Sequence, residues 1–303
     1  MEKYSKLDGS ILLKWDELME NSGFLKEVNI NVRVIRDTTG KSNYTFGIIY
    51  NTYRFQRPNP INIDLCPLCE EVKLSEEKGE NVLSYFPGFI VTPNKFPVLR
   101  GSCIAISTET AQNERPMYTT KNLDNLVEEL KNVFKYADST GFCVYHNCEG
   151  FGATLSRHEH WQLVNFGAAY DIAGEKYGFE KGDCDGLKKY RDVSVLSNFD
   201  FAHLIFNKND PERLVSFLDN IQRELGNKFD KGFVPHCIAH GGDKVLVVPS
   251  KNYIKRGIGS GEIAGHFFSK SQEDFLAADF NFCINKLSER LFSIHEIALE
   301  RFL

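Results

Sequence analysis

The 303-residue chain has no apolar run approaching the roughly 20 residues that a membrane-spanning helix needs. Its first ten residues, MEKYSKLDGS, lack the charged-then-apolar order of a secretory leader, so a cytoplasmic location and no membrane partner are expected. Basic residues are not in excess: 36 Lys and Arg stand against 41 Asp and Glu, a net charge of −5. That balance argues against the broad basic face used to hold a nucleic acid polymer, while leaving room for a local pocket for nucleotide phosphates. Low-complexity tracts are missing too, and 42% hydrophobic with 25% charged residues is ordinary globular composition. The 8 cysteines are spread along a long chain without a leader, which favours reduced thiols over disulfides. The length allows one large domain or two of ordinary size.

What the chain does have is concentrated between Asn147 and Gln162, NCEGFGATLSRHEHWQ. If the segment after the glycines is a strand, alternation sends His158, His160 and Gln162 to one face. A neutral imidazole attacks phosphorus without first losing a proton and leaves a covalent N–P intermediate. Gly150 and Gly152, followed by Thr154 and Ser156, are suited to bringing backbone N–H groups and hydroxyls close to phosphate oxygens. Gln162 can hydrogen-bond such an oxygen but cannot supply a catalytic proton. An isolated His-x-His is more often a structural metal pair or a satisfied polar pair; the glycine approach, the Asn ahead of it and the Gln behind it turn the reading toward catalysis. Glu159, pointing away from both histidines, is expected to be solvent-exposed.

Cys66-Pro67-Leu68-Cys69 is the second constellation. Two cysteines at this spacing suit tetrahedral zinc, which needs two further ligands, and His158 is the first candidate. A free thiol pair is the competing reading. A redox pair is less well supported, because no thioredoxin-like strand-then-helix pattern surrounds it. Cys148 and His146 are alternative ligands, or simply small buried residues beside a turn.

His158-Glu159-His160-Trp161-Gln162 resembles the HxHxQ motif of the transferase branch of the histidine-triad superfamily, which includes galactose-1-phosphate uridylyltransferases, diadenosine tetraphosphate phosphorylases and GDP-hexose phosphorylases. Asn94-Lys95-Phe96-Pro97, followed by Val98-Leu99-Arg100, is similar to the strand end that lines the base and ribose pocket in these enzymes. His236 to Pro249, Glu262 to His266 and Glu273 to Phe275 resemble the C-terminal half of the GDP-hexose phosphorylases. The resemblance spans about residues 50 to 295. It implies a nucleotidylated His160, a phosphate-steadying Gln162 and a supporting His158. It also implies nucleotide contacts from Asn94, Phe96, Arg100 and Asn147 beside those of the glycine turn. For residues 94 to 100 an ordinary buried strand and turn is an equally good reading; for His236, His240 and His266 core or surface histidines are the better one. Uridylyltransferases add a zinc-binding histidine where this chain reads Ser107-Thr108-Glu109-Thr110, so Glu109 is the candidate fourth ligand. Glu159 stands where many of them have proline. The resembled phosphorylases do not require zinc, so zinc is a structural option and no organic cofactor is expected.

The implied substrates are a nucleotide sugar, GDP-hexose foremost, or a dinucleoside polyphosphate, with phosphate or a sugar phosphate as acceptor. A nucleotide hydrolase and a non-catalytic nucleotide- or zinc-binding protein are the alternatives. A homodimer is expected by analogy alone. The implied fold is α+β, an antiparallel sheet built from two histidine-triad-like halves with flanking helices. The first half, residues 1–185, would carry both motifs, and the second, 186–303, would complete the sheet and the pocket.

The pattern of apolar residues fits such a fold. A helix is expected around Leu12 to Met19, then a meander of strands through Val32 to Ile35 and Tyr44 to Tyr50 leading to the cysteines. A charged loop follows near Ser75 to Glu80, with strands at Phe89 to Val91 and Cys103 to Ile106. Leu123, Leu126, Val127, Leu130, Val133 and Phe134 form a helical stripe expected to serve as core. Strands at Phe142 to His146 and Trp161 to Phe166 carry the motif. A strand at Ala202 to Phe206, a helix with Leu214, Leu218, Ile221 and Leu225, and strands at His236 to His240 and Lys244 to Val248 repeat the theme. Residues 168 to 200 read as the connecting segment.

Overall fold

The computed structural model describes residues 7–22, 30–40, 42, 44–52, 66–79, 81–108, 123–148, 151, 158–181, 187–190, 193–196, 199–229, 232, 234–252 and 258–303. Helix α1 (Gly9–Asn21) starts at Asp8, whose carboxylate accepts from Ser10 N, and it buries Trp15 and Met19. Strands β1 (Ile30–Arg36) and β2 (Thr45–Asn51) pair antiparallel, with Val32 opposite Ile49. They do not continue as the expected meander. They form a separate three-stranded sheet completed by His266–Ser269, which lies parallel to β2. Phe46, Ile48 and Ile49 are all buried, which a two-stranded hairpin alone cannot achieve.

The charged stretch expected as a loop is instead mostly helix α2 (Pro67–Lys78), with Glu80 outside the described residues. Pro67 occupies its first turn, Glu70 and Lys78 complement the helix dipole, and Leu68 and Val72 share a buried face one turn apart. Gly79 stops it in the left-handed conformation at φ 65°. One narrow apolar face among many charges is why this helix reads as loop.

Ten antiparallel strands form the main sheet: β3 (Ser84–Phe86), β4 (Phe89–Pro93), β5 (Cys103–Ser107), β6 (Cys143–Asn147), β7 (His160–Val164), β8 (Leu187–Tyr190), β9 (Val193–Leu196), β10 (Leu204–Asn207), β11 (His236–Gly241) and β12 (Lys244–Pro249). Helix α3 (Leu123–Thr140) precedes β6, α4 (Phe166–Ala173) follows β7, and α5 (Pro211–Leu225) precedes β11. The spatial order is β3-β4-β5-β7-β6-β11-β12-β10-β9-β8. Three strands, a helix and two more strands, the last inserted beside the third, occur twice. The two units meet where β6 and β11 pair, with Ile238 opposite His146. This is the expected α+β class with one shared antiparallel sheet. The segment 168 to 200 is more than a connection, since it holds most of α4 together with β8 and β9. Their four-residue length, and two lysines in Leu187-Lys188-Lys189-Tyr190, leave little alternation to read.

One face of the sheet is covered by α1, α3 and α5. Leu126, Leu130, Val133 and Phe134 of α3, with Leu214, Leu218 and Ile221 of α5, pack on Ala105, Val144, Trp161, Leu163, Ile238 and Val245. Each such side chain contributes roughly 1.5–3 kcal/mol relative to exposure. The stripe is core, as expected; the side chain of Leu123 lies outside the described residues. The opposite face carries Ile90 and Ile106 beneath α2. It also carries Tyr145, Cys237, Ala239 and Leu246 toward the small sheet. The C-terminal elements are α6 (Ser260–Ile263), β13 (the His266–Ser269 strand), α7 (Gln272–Ala277) and α8 (Phe280–Ser288). Among the described residues no helix is long and apolar enough to cross a membrane.

Candidate active site

Register decides which way the motif points. Trp161 and Leu163 face the helix-covered side, so His160 and Gln162 face the other. There His160 lies opposite Ile106, and Gln162 lies between Ile104 and Tyr145 on the two neighbouring strands. Both side chains are half-buried. Extending the β6–β7 register by two residues sets Asn147 level with His160 on the same face.

His160 Nδ1 is 2.8 Å from the carbonyl oxygen of His158. A carbonyl only accepts, so Nδ1 carries the hydrogen and Nε2 keeps its lone pair. The carbonyl that fixes the tautomer therefore belongs to the motif itself.

His158 is held by the same logic in the reverse sense. Its Nε2 donates to the carbonyl of Ser107, 3.0 Å away, which leaves Nδ1 as the electron-pair donor. Nδ1 faces Cys69 Sγ at 3.1 Å and Cys66 Sγ at 3.6 Å. Zinc about 2.3 Å from sulfur and about 2.0 Å from nitrogen in a tetrahedron sets such atoms about 3.6 Å apart, so these residues fit the metal. Among the described residues, this set has its three ligand atoms within 4.8 Å of one another. Burial holds the imidazole below its ordinary range, with the Ser107 bond opposing. It also pushes the Cys69 thiol up to about 11, aided by the neighbouring Cys66. A divalent ion would reverse that preference, since it binds the thiolate. The candidate fourth ligand, Glu109, lies outside the described residues.

Gly150, Gly152, Thr154 and Ser156 also lie outside them. Phe151, between the two glycines, is fully buried, and its N–H donates to the Cys148 carbonyl at 3.0 Å. This anchor of the turn was missed in the sequence; an aromatic between two glycines was the available signal.

Asn94, Phe96 and Arg100 lie on the connection between β4 and β5. Asn94 Oδ1 accepts from Phe96 N at 3.0 Å and shapes its own turn. Arg100 is exposed and paired with Asp16 of α1. Phe96 is half-buried. Two unexpected residues hold this turn. Asn51 donates to the carbonyls of Pro97 and Val98 at 3.1 and 2.9 Å, and Lys95 reaches Glu71 of α2 at 2.7 Å. A polar residue closing the apolar run Thr45–Asn51 was the visible sign of the first.

Glu159 points away from the histidines, as expected, but it is 5% exposed rather than solvated. Its Oε1 lies 2.9 Å from His146 Nε2 on the helix-covered side of the sheet. Burial raises the Glu159 carboxyl well above its ordinary range and pushes His146 down to about 3, so both are neutral groups in the fold. His146 is thereby turned away from the cysteines, and Cys148 Sγ accepts from His236 N at 3.0 Å. His236, His240 and His266, at 4%, 2% and 0% exposure, are core histidines. None of the seven described cysteines is in a disulfide.

Ser260 is a further residue that sequence reasoning passed over. It is fully buried, its N–H donates to Asn147 Oδ1 at 2.6 Å, and its hydroxyl lies 2.7 Å from the His146 carbonyl.

No protein-family model and no curated protein matches the chain. Among solved structures, yeast Ap4A phosphorylase Apa2 in complex with AMP is similar at a TM-score of 0.64 and 15% identity, covering 95% of this chain and 99% of that one. The same yeast enzyme in complex with Ap4A aligns at a TM-score of 0.62 and 14% identity, with 95% and 99% covered. A GalT-like protein from Arabidopsis thaliana aligns at 0.34 and 12%, covering 82% of this chain and 97% of that one. With the repeated half, the shared sheet and near-complete coverage of the yeast enzyme, the chain has the fold of that Ap4A phosphorylase.

Proposed function

We propose that this protein transfers a nucleoside monophosphate from a phosphoanhydride donor to a phosphate acceptor through His160. The observation that carries the reading is the His160 tautomer: Nδ1–H is committed to the His158 carbonyl, so the lone pair belongs to Nε2, on the sheet face opposite α3 and α5. Attack by Nε2 on the α-phosphorus forms an N–P bond and breaks the bond to the departing phosphate or sugar phosphate. The imidazole becomes cationic, and its Nδ1–H bond to the carbonyl strengthens as that charge develops. Inorganic phosphate or a phosphate ester then attacks the same phosphorus, the N–P bond breaks, and neutral His160 returns.

The supporting groups are proposed on the same reading. Gln162, two residues along the same face, offers an amide donor to a nonbridging oxygen. Gly150, Gly152, Thr154 and Ser156 are proposed to do the same from the turn; losing one such donor costs roughly 2.7–4 kcal/mol in the transition state. Asn94 and Phe96 are proposed to border the nucleoside. Cys66, Cys69 and His158 would hold zinc, with Glu109 the proposed fourth ligand. Zinc there would fix the strand end that presents His160, a structural task.

A dinucleoside polyphosphate and a GDP-hexose are the two donors proposed. The fold likeness to an Ap4A phosphorylase supports the first, and the order of C-terminal motifs supports the second. Incubation with each donor and phosphate, with products separated by anion-exchange chromatography, tests the reading. Release of a nucleoside diphosphate that depends on added phosphate is the expected result. Formation of only the monophosphate, whatever the phosphate concentration, would make the protein a hydrolase.

A further inference from the structure

The second half of the chain has no counterpart of the HxHxQ motif: its equivalent of β7 is β12, which reads Lys244-Val245-Leu246-Val247-Val248-Pro249. It nonetheless reaches the site. Residues after β12 return to the end of β6, where Gly259 and Ser260 meet Asn147, the residue that opens the glycine turn.

The contact is specific in its polarity. Ser260 N–H donates to Asn147 Oδ1 at 2.6 Å. The Ser260 hydroxyl lies 2.5 Å from the same oxygen and 2.7 Å from the His146 carbonyl, one proton shared between two acceptors. A backbone N–H can only donate, so the amide oxygen, not the nitrogen, must face Ser260. Gly259 makes this approach feasible, because a Cβ there would sit 2.9 Å from Asn147 Oδ1 and 3.2 Å from its Nδ2. The cradle is itself braced: Gly259 N–H donates to Glu262 Oε2 at 2.9 Å. Ser260 is fully buried, so this arrangement is shielded from competing water.

Fixing the oxygen fixes the nitrogen. With Oδ1 held by the second half, the amide can present only its NH₂ end to a ligand, and Asn147 stands level with His160 on the same strand face. We infer that Ser260 is a positioning residue, supplied by the motif-free half, that sets the Asn147 amide with its donor end toward the substrate's phosphate. Without this constraint an asparagine can turn its oxygen toward the anion, an arrangement that repels it. The inference rests on the nucleotidyl-transfer reading and gives the second half a task in it beyond completing the sheet.

The test compares binding of adenosine, guanosine and uridine with that of their 5′-monophosphates, by calorimetry on the full chain. Wild type is expected to bind at least one monophosphate more tightly than its nucleoside. Ser260→Ala is expected to weaken that monophosphate by about tenfold to a hundredfold, the range for a hydrogen bond to a charged group, while nucleoside affinity stays within twofold. Asn147→Asp keeps an acceptor for Ser260 but offers the phosphate only oxygens, so it should show the same selective loss even if Ser260→Ala fails to fold. Asn147→Ala combined with Ser260→Ala should lose no more than Asn147→Ala alone. Equal preference for monophosphate over nucleoside in wild type and both single variants would overturn the inference, as would fully additive losses in the double variant. If wild type binds monophosphate and nucleoside equally, no donor faces the phosphate and the inference fails. If it binds none of the six, the proposed function fails and the inference with it.

Discussion

Acidification from pH 7.5 to 5.5 should destabilise the fold, and the structure sets the size of the effect. Five histidines outside the Cys66–Cys69–His158 cluster are buried as neutral groups. Burial pushes His146 and His236 down to about 3, His203 and His240 down to about 4, and His266 well below the ordinary range. A group whose folded pKa is depressed contributes stability that is present above its unfolded value, near 6.5, and is lost as pH falls below it. Across this interval each unfolded imidazole goes from about one-tenth to about nine-tenths protonated while the folded one stays neutral, a loss of about 1.4 kcal/mol per residue. Glu159 acts in the opposite direction. Its carboxyl is raised by burial, so its contribution is present at low pH and lost as pH rises, and acidification returns up to about 1.4 kcal/mol per pH unit. The net loss is about 4 kcal/mol, a large part of the roughly 5–15 kcal/mol that holds a typical domain. Urea unfolding at the two pH values, at constant ionic strength and compared at equal m-value, measures it. His203→Gln, which removes an imidazole accepting from Leu196 N at 2.7 Å, should flatten the pH slope by about one proton. Stability equal or higher at pH 5.5 would refute the reasoning and mean that these histidines are protonated in the native state.

Other perturbations separate chemistry from scaffold. Cys66→Ala or Cys69→Ala should abolish the zinc content measured by atomic absorption and lower the melting temperature, whereas His160→Ala should leave both unchanged. Arg100→Ala removes an exposed pair with Asp16, so stability in urea should change by less than about 1 kcal/mol; a large rise in KM would support a nucleotide-binding role for it. Gly47→Ala would place a methyl 1.9 Å from the Tyr177 ring, and overpacking of this kind should cost about 3 kcal/mol or more by chemical denaturation.

Legibility tracked periodicity. Helices α3 and α5 were visible because four or more apolar residues recur at helical spacing and all face one sheet. Helix α2 was not, because Leu68 and Val72 are its only large buried aliphatics amid charges. Strands β8 and β9 were too short to alternate, and β13 joins a parallel pairing with β2 that only tertiary contact reveals. At the site, the facing of His160 and Gln162 followed from alternation alone, and the approach of Cys66, Cys69 and His158 from ligand chemistry. Glu159 was misjudged because alternation gives a direction without saying what lies on that side; here His146 does. Ser260 and Asn51 act over 113 and 46 residues of separation, and no local pattern announces such partners.

The most direct test of covalent transfer is intact-protein mass spectrometry after brief incubation with UDP-, GDP-, ADP- and CDP-sugars and dinucleoside polyphosphates, without added phosphate. A mass increase of one nucleoside monophosphate on wild type, absent from His160→Ala and discharged by phosphate, is the expected result, and its size identifies the base. An adduct that persists in His160→Ala, or turnover by that variant at the wild-type rate, would contradict the assignment of His160 as the nucleophile.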